Sequence, residues 1–334
     1  MNHKITIGWP GPVISKKYGS TAYEIPLKKV LSENFNFDFI KVEGKHFKNK
    51  YLRALEFIFN LYMLDGRKDL WIRDFYSTVF VRINKTSGNN LSIVHHLDFS
   101  GFNLISRIVL EPLKILFYYH NLRKMDAIVT VSEYWRKHFL ERGYKNVYKI
   151  YNSFNLPDFN ISDQEVSDFK KKYNLTDKQI IYLGNCQKAK GVRESFKALK
   201  DLDVYLVTSG EQKIKIPALN LNLEYRDYLK LLKASSIVIT MSKFKEGWCR
   251  TAHEAMLLKT PVIGSGLGGM RELLEGGNQM VCPNSKDLKE KVKFLIKNHD
   301  QIKKMGESGY NFAKNFTLEK FEESWLDLTN KIVN

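Results

Sequence analysis

Cysteine is scarce in this chain: Cys186, Cys249 and Cys282 are the three in 334 residues, far apart and in no Cys-x-x-Cys pair. That argues against a disulfide framework and a Cys-based structural zinc site, and it points to a reducing cytoplasm. Long apolar runs are missing too. The most apolar stretches are 54–64 and 102–119. The first is half of the roughly 20 residues a bilayer crossing needs, and Arg107, Glu111 and Lys114 interrupt the second. The expectation is a cytoplasmic protein without a membrane span, free or peripheral on the cytoplasmic membrane face. The opening MNHKITIGWPGP is too short in apolar residues for a leader and reads as a first strand entering a loop. Acid is the remaining shortage, with 36 Asp and Glu against 53 Lys and Arg and a net charge of +17. The surplus is uneven, since residues 1–150 hold 24 basic and 13 acidic side chains. A basic first half fits a polyanion, an anionic membrane surface or a phosphorylated substrate, although such a surplus also serves solubility alone.

What is present is enough for two domains. The chain is 43% hydrophobic and 27% charged, so it can bury a sizeable core. Apolar runs alternate with helical patterns, the signature of α/β architecture with parallel sheets. Strands are expected at 4–8, 38–42, 70–72, 91–94, 127–131 and 147–151, with helices over 21–32, 48–64, 104–122 and 133–142. Residues 152–163, with Pro157 and several Asn and Asp, read as a linker. A second series follows, with strands at 180–184, 204–208, 237–241 and 262–264. Its helices are expected over 193–199, 228–234, 251–258 and 288–298, and a final helix over 318–332 is long enough to cross back. The expected architecture is two doubly wound, Rossmann-like domains facing each other across a cleft. Residues 1–155 with 317–334 form the first and 156–316 the second. Ligands of such sheets bind beyond the carboxyl ends of the strands, so loops in those places are the ones to inspect.

Three loops qualify. After the strand at 180–184 comes Gly184-Asn185-Cys186-Gln187-Lys188-Ala189-Lys190-Gly191, ahead of a helix. Such a loop offers backbone N–H groups and a positive dipole end to a phosphate, with Lys190 as a point charge. It is neither a Walker A loop nor GxGxxG, and an ordinary strand-to-helix turn with solvated lysines also accounts for it. After the strand at 237–241 comes Glu246-Gly247-Trp248-Cys249-Arg250, then a helix carrying Glu254. Eight residues of helix span about 12 Å, so the two acids fit separate hydroxyl groups of a long ligand better than one shared atom. Thr251-Ala252-His253-Glu254 also has the capping-box pattern, in which Glu254 reaches back to the Thr251 N–H. Taken alone, that is the expected role of Glu254. The third loop, Ser265-Gly266-Leu267-Gly268-Gly269-Met270-Arg271-Glu272, brings glycine amides close to an anion or sugar, or simply turns the chain.

In this order the loops resemble the nucleotide-sugar domain of the retaining glycosyltransferases of family 4, which have the GT-B fold. Gly184…Lys190-Gly191 resembles the family's Gly-Arg…Lys-Gly loop, and Glu246-Gly247-Trp248…Glu254-Ala255 its Glu-x7-Glu motif. Thr260-Pro261-Val262-Ile263 with Gly268-Gly269…Glu272 resembles the Pro-Val strand and Gly-Gly-x-x-Glu turn. The likeness is good over 178–285 and weaker at Val131-Ser132-Glu133 and Asn152-Ser153-Phe154-Asn155. It implies transfer of a sugar from a nucleotide diphosphate sugar to a hydroxyl of a glycan or lipid-linked acceptor, with retention and with no metal or cofactor. Lys190 would bind the diphosphate, Glu254 the ribose hydroxyls, and Glu246 would face the transferred sugar. Gly184, Asn185, Gly247, Trp248, Cys249, Arg250, Gly268 and Gly269 complete the implied donor set. Asn185 stands where the family has Arg, so the diphosphate must lean on Lys190 and on Lys188 or Arg250.

On the acceptor side, His95-His96-Leu97-Asp98 follows the strand at 91–94, and His96 takes the place of a family histidine near the donor sugar. A structural histidine satisfied by its neighbours is the competing reading. Gly11 and Tyr18-Gly19-Ser20 match the family's N-terminal glycine loop loosely, and Arg73-Asp74 is a further candidate with an alternative structural role. Two other functions are compatible with parts of the sequence. A sugar-nucleotide epimerase on the same fold would yield an isomer in place of a transferred product. A basic nucleic-acid binder would use the aromatic-basic segment 47–67, but no reader motif is present. The same segment and 104–124 also suit an anionic membrane, apolar face down, or plain packing on the first sheet.

Overall fold

The computed structural model describes residues 4–12, 19, 21–102 and 104–334. The chain forms two compact units: one of Met1–Leu97, Leu104–Ser153 and Leu318–Asn334, the other of Asp98–Asn103 and Phe154–Thr317. Each is built on a parallel sheet of six strands among the described residues.

The first sheet has β1 (Thr6–Gly11), β2 (Asn36–Lys41), β3 (Gly66–Arg73), β4 (Thr86–Val94), β5 (Ala127–Thr130) and β6 (Val147–Lys149), in the order β2-β1-β3-β4-β5-β6. Its helices are α1 (Thr21–Asn34), α2 (Lys50–Tyr62), α3 (Phe75–Val79), α4 (Leu104–Pro112), α5 (Tyr119–Leu122) and α6 (Glu133–Leu140). Residues Leu113–Tyr118 join α4 to α5 as a π-helical stretch directly after Pro112, whose ring nitrogen has no hydrogen to donate.

The second unit starts with α7 (Asp163–Lys172) and continues with β7 (Ile180–Asn185), α8 (Val192–Leu199), β8 (Tyr205–Ser209), β9 (Leu219–Leu221) and α9 (Tyr225–Ala234). Then come β10 (Ile237–Thr240), α10 (Arg250–Leu257), β11 (Val262–Gly264), α11 (Met270–Gly276), β12 (Met280–Val281), α12 (Leu288–Lys297) and α13 (His299–Ala313). The strand order is β12-β11-β10-β7-β8-β9. Strand order reverses between β7 and β10, and ligands of open α/β sheets bind at such a point. The central strands are apolar on both faces, as helix-covered parallel strands must be: Ile181, Leu183, Ile237, Ile239 and Ile263 are buried in one core with Val192 of α8, and the alternating Ile180, Tyr182, Val238 and Val262 are buried too.

The final helix, α14 (Leu318–Val333), belongs to the first unit. Phe321 packs edge-on against Tyr23 at 5.0 Å, and Asn89 donates to the Ile332 carbonyl at 3.0 Å. The chain changes unit near Phe154 and again near Thr317, and these two residues pair in a parallel bridge. One segment sits elsewhere than the sequence reading put it. Residues 98–102, assigned there to the first domain, belong with the second unit. The Asp98 carboxylate accepts the Lys245 N–H at 2.7 Å, and Gly101 lies so close to Phe244 that a Cβ would stand 2.9 Å from its ring.

Candidate functional site

The site grows from the loops that follow β7, β10 and β11. Gly191 closes the first one in the left-handed region, with φ 68°, and a Cβ there would stand 2.1 Å from the Met241 carbonyl oxygen. Only glycine fits, and the fit presses the β7 loop onto the end of β10. The Lys243 N–H adds a bond to the Ala189 carbonyl at 2.9 Å. The first two loops are therefore one surface, and Lys190 rises from it.

The Lys190 ammonium meets Glu246 Oε1 at 2.6 Å and lies 5.0 Å from the centre of the Phe244 ring. Ser242 donates a short hydrogen bond to the same carboxylate oxygen. Burial works to lower the Lys190 pKa, but the Glu246 charge and hydrogen bond outweigh it and the net shift is upward. The third loop braces Glu246 from the main-chain side. Glu246 bridges Gly268 in parallel, its N–H donates to the Leu267 carbonyl at 3.2 Å, and its carbonyl accepts the Gly269 N–H at 2.9 Å. The glycine pair thus acts on the Glu246 backbone; of the expected roles, amides close to an anion or sugar or a simple turn of the chain, this bracing is a third.

Glu254 is held differently, and the capping-box expectation fails. Helix α10 begins at Arg250 with Cys249 as its N-cap, so Thr251 is the second helical residue and not the cap, and Glu254 lies two positions beyond the third, from which an acid reaches back to the cap N–H. Tyr225 donates to Glu254 Oε1 at 3.3 Å and Tyr228 to Oε2 at 3.0 Å, while Arg250 lies 3.6 Å from Oε1. Burial raises the Glu254 pKa, against the lowering influence of Arg250 and the two phenols. Both tyrosines come from α9, and no local pattern in the sequence links them to Glu254.

The other expected donor residues fall into two kinds. Trp248 and Cys249 are buried. The Trp248 indole donates to His253 Nδ1 at 3.2 Å, leaving His253 Nε2 to donate to the Ala313 carbonyl at 3.1 Å. Burial pushes the Cys249 thiol up to about 12 and the His253 imidazole down to about 3, so both are neutral. These side chains form the wall behind the site. Arg250 remains partly exposed, its guanidinium 4.3 Å from the centre of the Phe154 ring. Gly184 takes φ 98° at the end of β7, and Gly247 is buried. Asn185 turns back to the sheet, its Oδ1 accepting from Tyr182 at 3.3 Å and Ser209 at 3.1 Å. Lys188 is exposed.

On the first unit, His95 and His96 follow β4, both half-buried. His95 packs edge-on against Tyr23 at 5.2 Å, and burial lowers its pKa to about 3, with His96 adding to the effect. Arg73 points into the unit's interior, donating to Asn90 at 2.8 Å and Thr86 at 2.8 Å, and is 1% exposed. Its burial lowers its pKa to about 10. Gly19 adopts φ 61°; Tyr18 and Ser20 lie outside the described residues.

Residues 163–312 match the family described as Glycosyl transferases group 1. An uncharacterised glycosyltransferase of Methanocaldococcus jannaschii is 28% identical over 249 residues, 70% of this chain and 67% of the relative. The structure of sucrose-phosphate synthase from Thermosynechococcus elongatus has a TM-score of 0.78 at 15% identity, covering 98% of this chain and 99% of its own. HepE of Anabaena, solved in complex with UDP-glucose, has a TM-score of 0.71 at 15% identity, covering 98% of this chain and 100% of its own. At these identities the structural likeness shows the fold, which is GT-B.

Proposed function

From the match of residues 163–312 to the family Glycosyl transferases group 1, we propose that the chain is a glycosyltransferase. It moves a sugar from a nucleotide diphosphate sugar to an acceptor hydroxyl, with retention at the anomeric carbon. The observation that carries the reading is the Lys190–Glu246 pair at the β7/β10 switch point, with the glycine-braced Glu246 backbone beneath it. A structural neighbour solved with UDP-glucose supports a donor of that class.

The chemistry asks for stabilisation of a departing diphosphate as the anomeric carbon acquires oxocarbenium character. Lys190 supplies the charge, and Arg250 supplements it where Asn185 carries none. The acceptor hydroxyl attacks on the face the diphosphate leaves. The bond from the anomeric carbon to the diphosphate breaks, the new glycosidic bond forms, and the acceptor proton passes to a diphosphate oxygen. The acceptor, a glycan or lipid-linked glycan, is assigned to the first unit, where His96 follows β4. The reading requires no metal.

Glu254 fits the ribose end. A carboxylate has about four lone-pair sites; one phenol sits on each oxygen and Arg250 lies beside Oε1, which leaves Oε2 the more open oxygen for a ribose hydroxyl. Glu254→Gln is therefore expected to raise the donor Kd about tenfold or more, the worth of a hydrogen bond to a charged group, with a smaller change in kcat. A fall in kcat at unchanged donor affinity would remove Glu254 from this role.

The function itself is tested by incubating the protein with nucleotide sugars and candidate acceptors and following the anomeric signals by NMR. A glycoside with the donor's anomeric configuration is expected. An isomerised nucleotide sugar with no transfer would favour an epimerase, and an inverted glycoside would overturn retention.

A further inference from the structure

Two helices of the first unit turn apolar faces to solvent. On α2, Tyr51, Leu52, Leu55, Phe59, Tyr62 and Met63 recur at helical spacing, and all are exposed. On α4 and its π-helical continuation, Leu104, Ile105, Ile108, Val109, Ile115 and Leu116 form a second stripe, with Ile105 78% exposed. Among the described residues α4 buries none. Scattered exposed apolar side chains are ordinary, whereas continuous stripes mark a surface that is covered in use.

The stripes belong to one region. The Phe57 ring of α2 meets Tyr76 of α3 at 6.2 Å, Tyr76 meets Phe75 at 5.4 Å, and Phe75 stacks on Tyr118 at 4.7 Å. Tyr118 ends the π-helical stretch that continues α4. Helix α3 therefore links the two, and exposed Tyr76 lies between them.

Charge identifies the occupant. Lys48, Lys50 and Arg53 are exposed at the start of α2, and Arg107 is exposed on α4. The acids of these segments already have partners: Glu56 holds the His46 backbone and ring, and Glu111 holds Lys114. An apolar stripe with a cationic margin and tyrosines along it matches acyl chains beneath anionic headgroups. It matches an acidic protein surface poorly, since that would leave the leucines and isoleucines in water. No described helix is long and apolar enough to cross a membrane, so the contact is in the plane of the interface.

We propose that the α2 and α4 faces of the first unit dock on an anionic lipid bilayer. The proposal does not depend on the donor chemistry, and its test needs no activity. The full chain is sedimented with vesicles of phosphatidylglycerol and phosphatidylcholine, and with phosphatidylcholine alone. Wild type is expected in the pellet with the anionic vesicles, less so with neutral ones, and less as salt rises. Leu55→Glu with Phe59→Glu, and Ile105→Glu with Ile108→Glu, change exposed residues and are expected to keep the circular dichroism of wild type. Each pair should lower binding at least about tenfold. Lys48→Gln with Arg53→Gln should lower partition about fivefold per residue on anionic vesicles and leave neutral vesicles unaffected. Wild type staying in the supernatant with both vesicles would overturn the proposal, as would variants that bind like wild type. A wild-type dimer that these variants split, with no vesicle binding, would assign the face to a second copy and equally overturn it.

Discussion

Lys190→Met is expected to reduce transfer by about 10²–10³-fold, the loss seen when one preorganised donor to a developing negative charge is removed, while the second unit stays folded. Methionine keeps the unbranched stem beside Phe244 and loses only the ammonium. The side chain is 30% exposed against 9% for its partner, so the stability cost is smaller than for a fully buried pair, on the order of 1–2 kcal/mol. Glu246 keeps the Ser242 hydrogen bond after the change. Glu246→Gln should be similarly inactive, because it removes the charge that orients Lys190. Near-normal turnover in both would sink the site assignment. The pair also fixes a pH signature. Lys190 is raised above its usual value of 10.5, so its stabilising contribution is complete below that value and is lost as pH climbs through the folded-state pKa. The difference in Tm between wild type and Lys190→Met should be flat from about pH 7 to 9 and shrink only above the ordinary lysine range. A difference that disappears near neutrality would show that the pair does not exist in solution.

Gly268→Ala is expected to be strongly damaging to the second unit. Its φ is 68°, and an added Cβ would stand 2.4 Å from the Glu246 carbonyl oxygen and 2.8 Å from the Glu246 nitrogen. The left-handed backbone costs about 1–2 kcal/mol for a residue with a Cβ. Displacing packed main chain adds about 1–3 kcal/mol. Together that is about 2–5 kcal/mol, or roughly 5–15 °C in Tm for a unit of this size. Because the obstacle is the Glu246 backbone, the surviving folded protein should also bind donor poorly. Gly143→Ala is the control: φ is 76°, but nothing lies within 4 Å of its Cβ, so only the backbone penalty applies. Differential scanning calorimetry of the two variants checks this. Equal shifts would mean that Gly268 does not press on Glu246.

These contacts explain which parts of the molecule were legible in the sequence. Strands such as β7, β10 and β11 are short apolar runs bounded by polar or glycine residues, and the loops after them carry the motif residues in order. β9 and β12, of three and two residues, are too short for any period to show. Helix α7, which starts where the expected linker ends, has no counterpart among the expected elements although its signal is present, since Ser162 and Glu165 form a reciprocal capping box. Helix α13 was hidden by Gly306 and Gly309, which weigh against helix in isolation. In the fold they let α13 approach closely, for a Cβ on Gly306 would stand 2.3 Å from the Lys259 carbonyl oxygen. The site shows the same division. The residue types on the motif loops were readable, but their partners come from distant positions. Tyr225 and Tyr228 reach Glu254 from another helix, and the glycine pair grips Glu246 through backbone alone. Arg73 stands at the end of a strand as expected, yet Asn90 and Thr86 draw its side chain inward. Local patterns locate loops; they do not say which way a side chain turns.

In the proposed function, Lys190 and Glu246 belong to a nucleotide-sugar site. Thermal unfolding of wild type and Lys190→Met against UDP-, GDP-, ADP- and dTDP-sugars tests it most directly, since a ligand bound only by the folded state raises Tm by mass action. One donor, at about a hundred times its Kd, should stabilise wild type by about 2.7 kcal/mol and Lys190→Met far less. No shift of wild type with any of these donors, or an equal shift of both proteins with one of them, would contradict it.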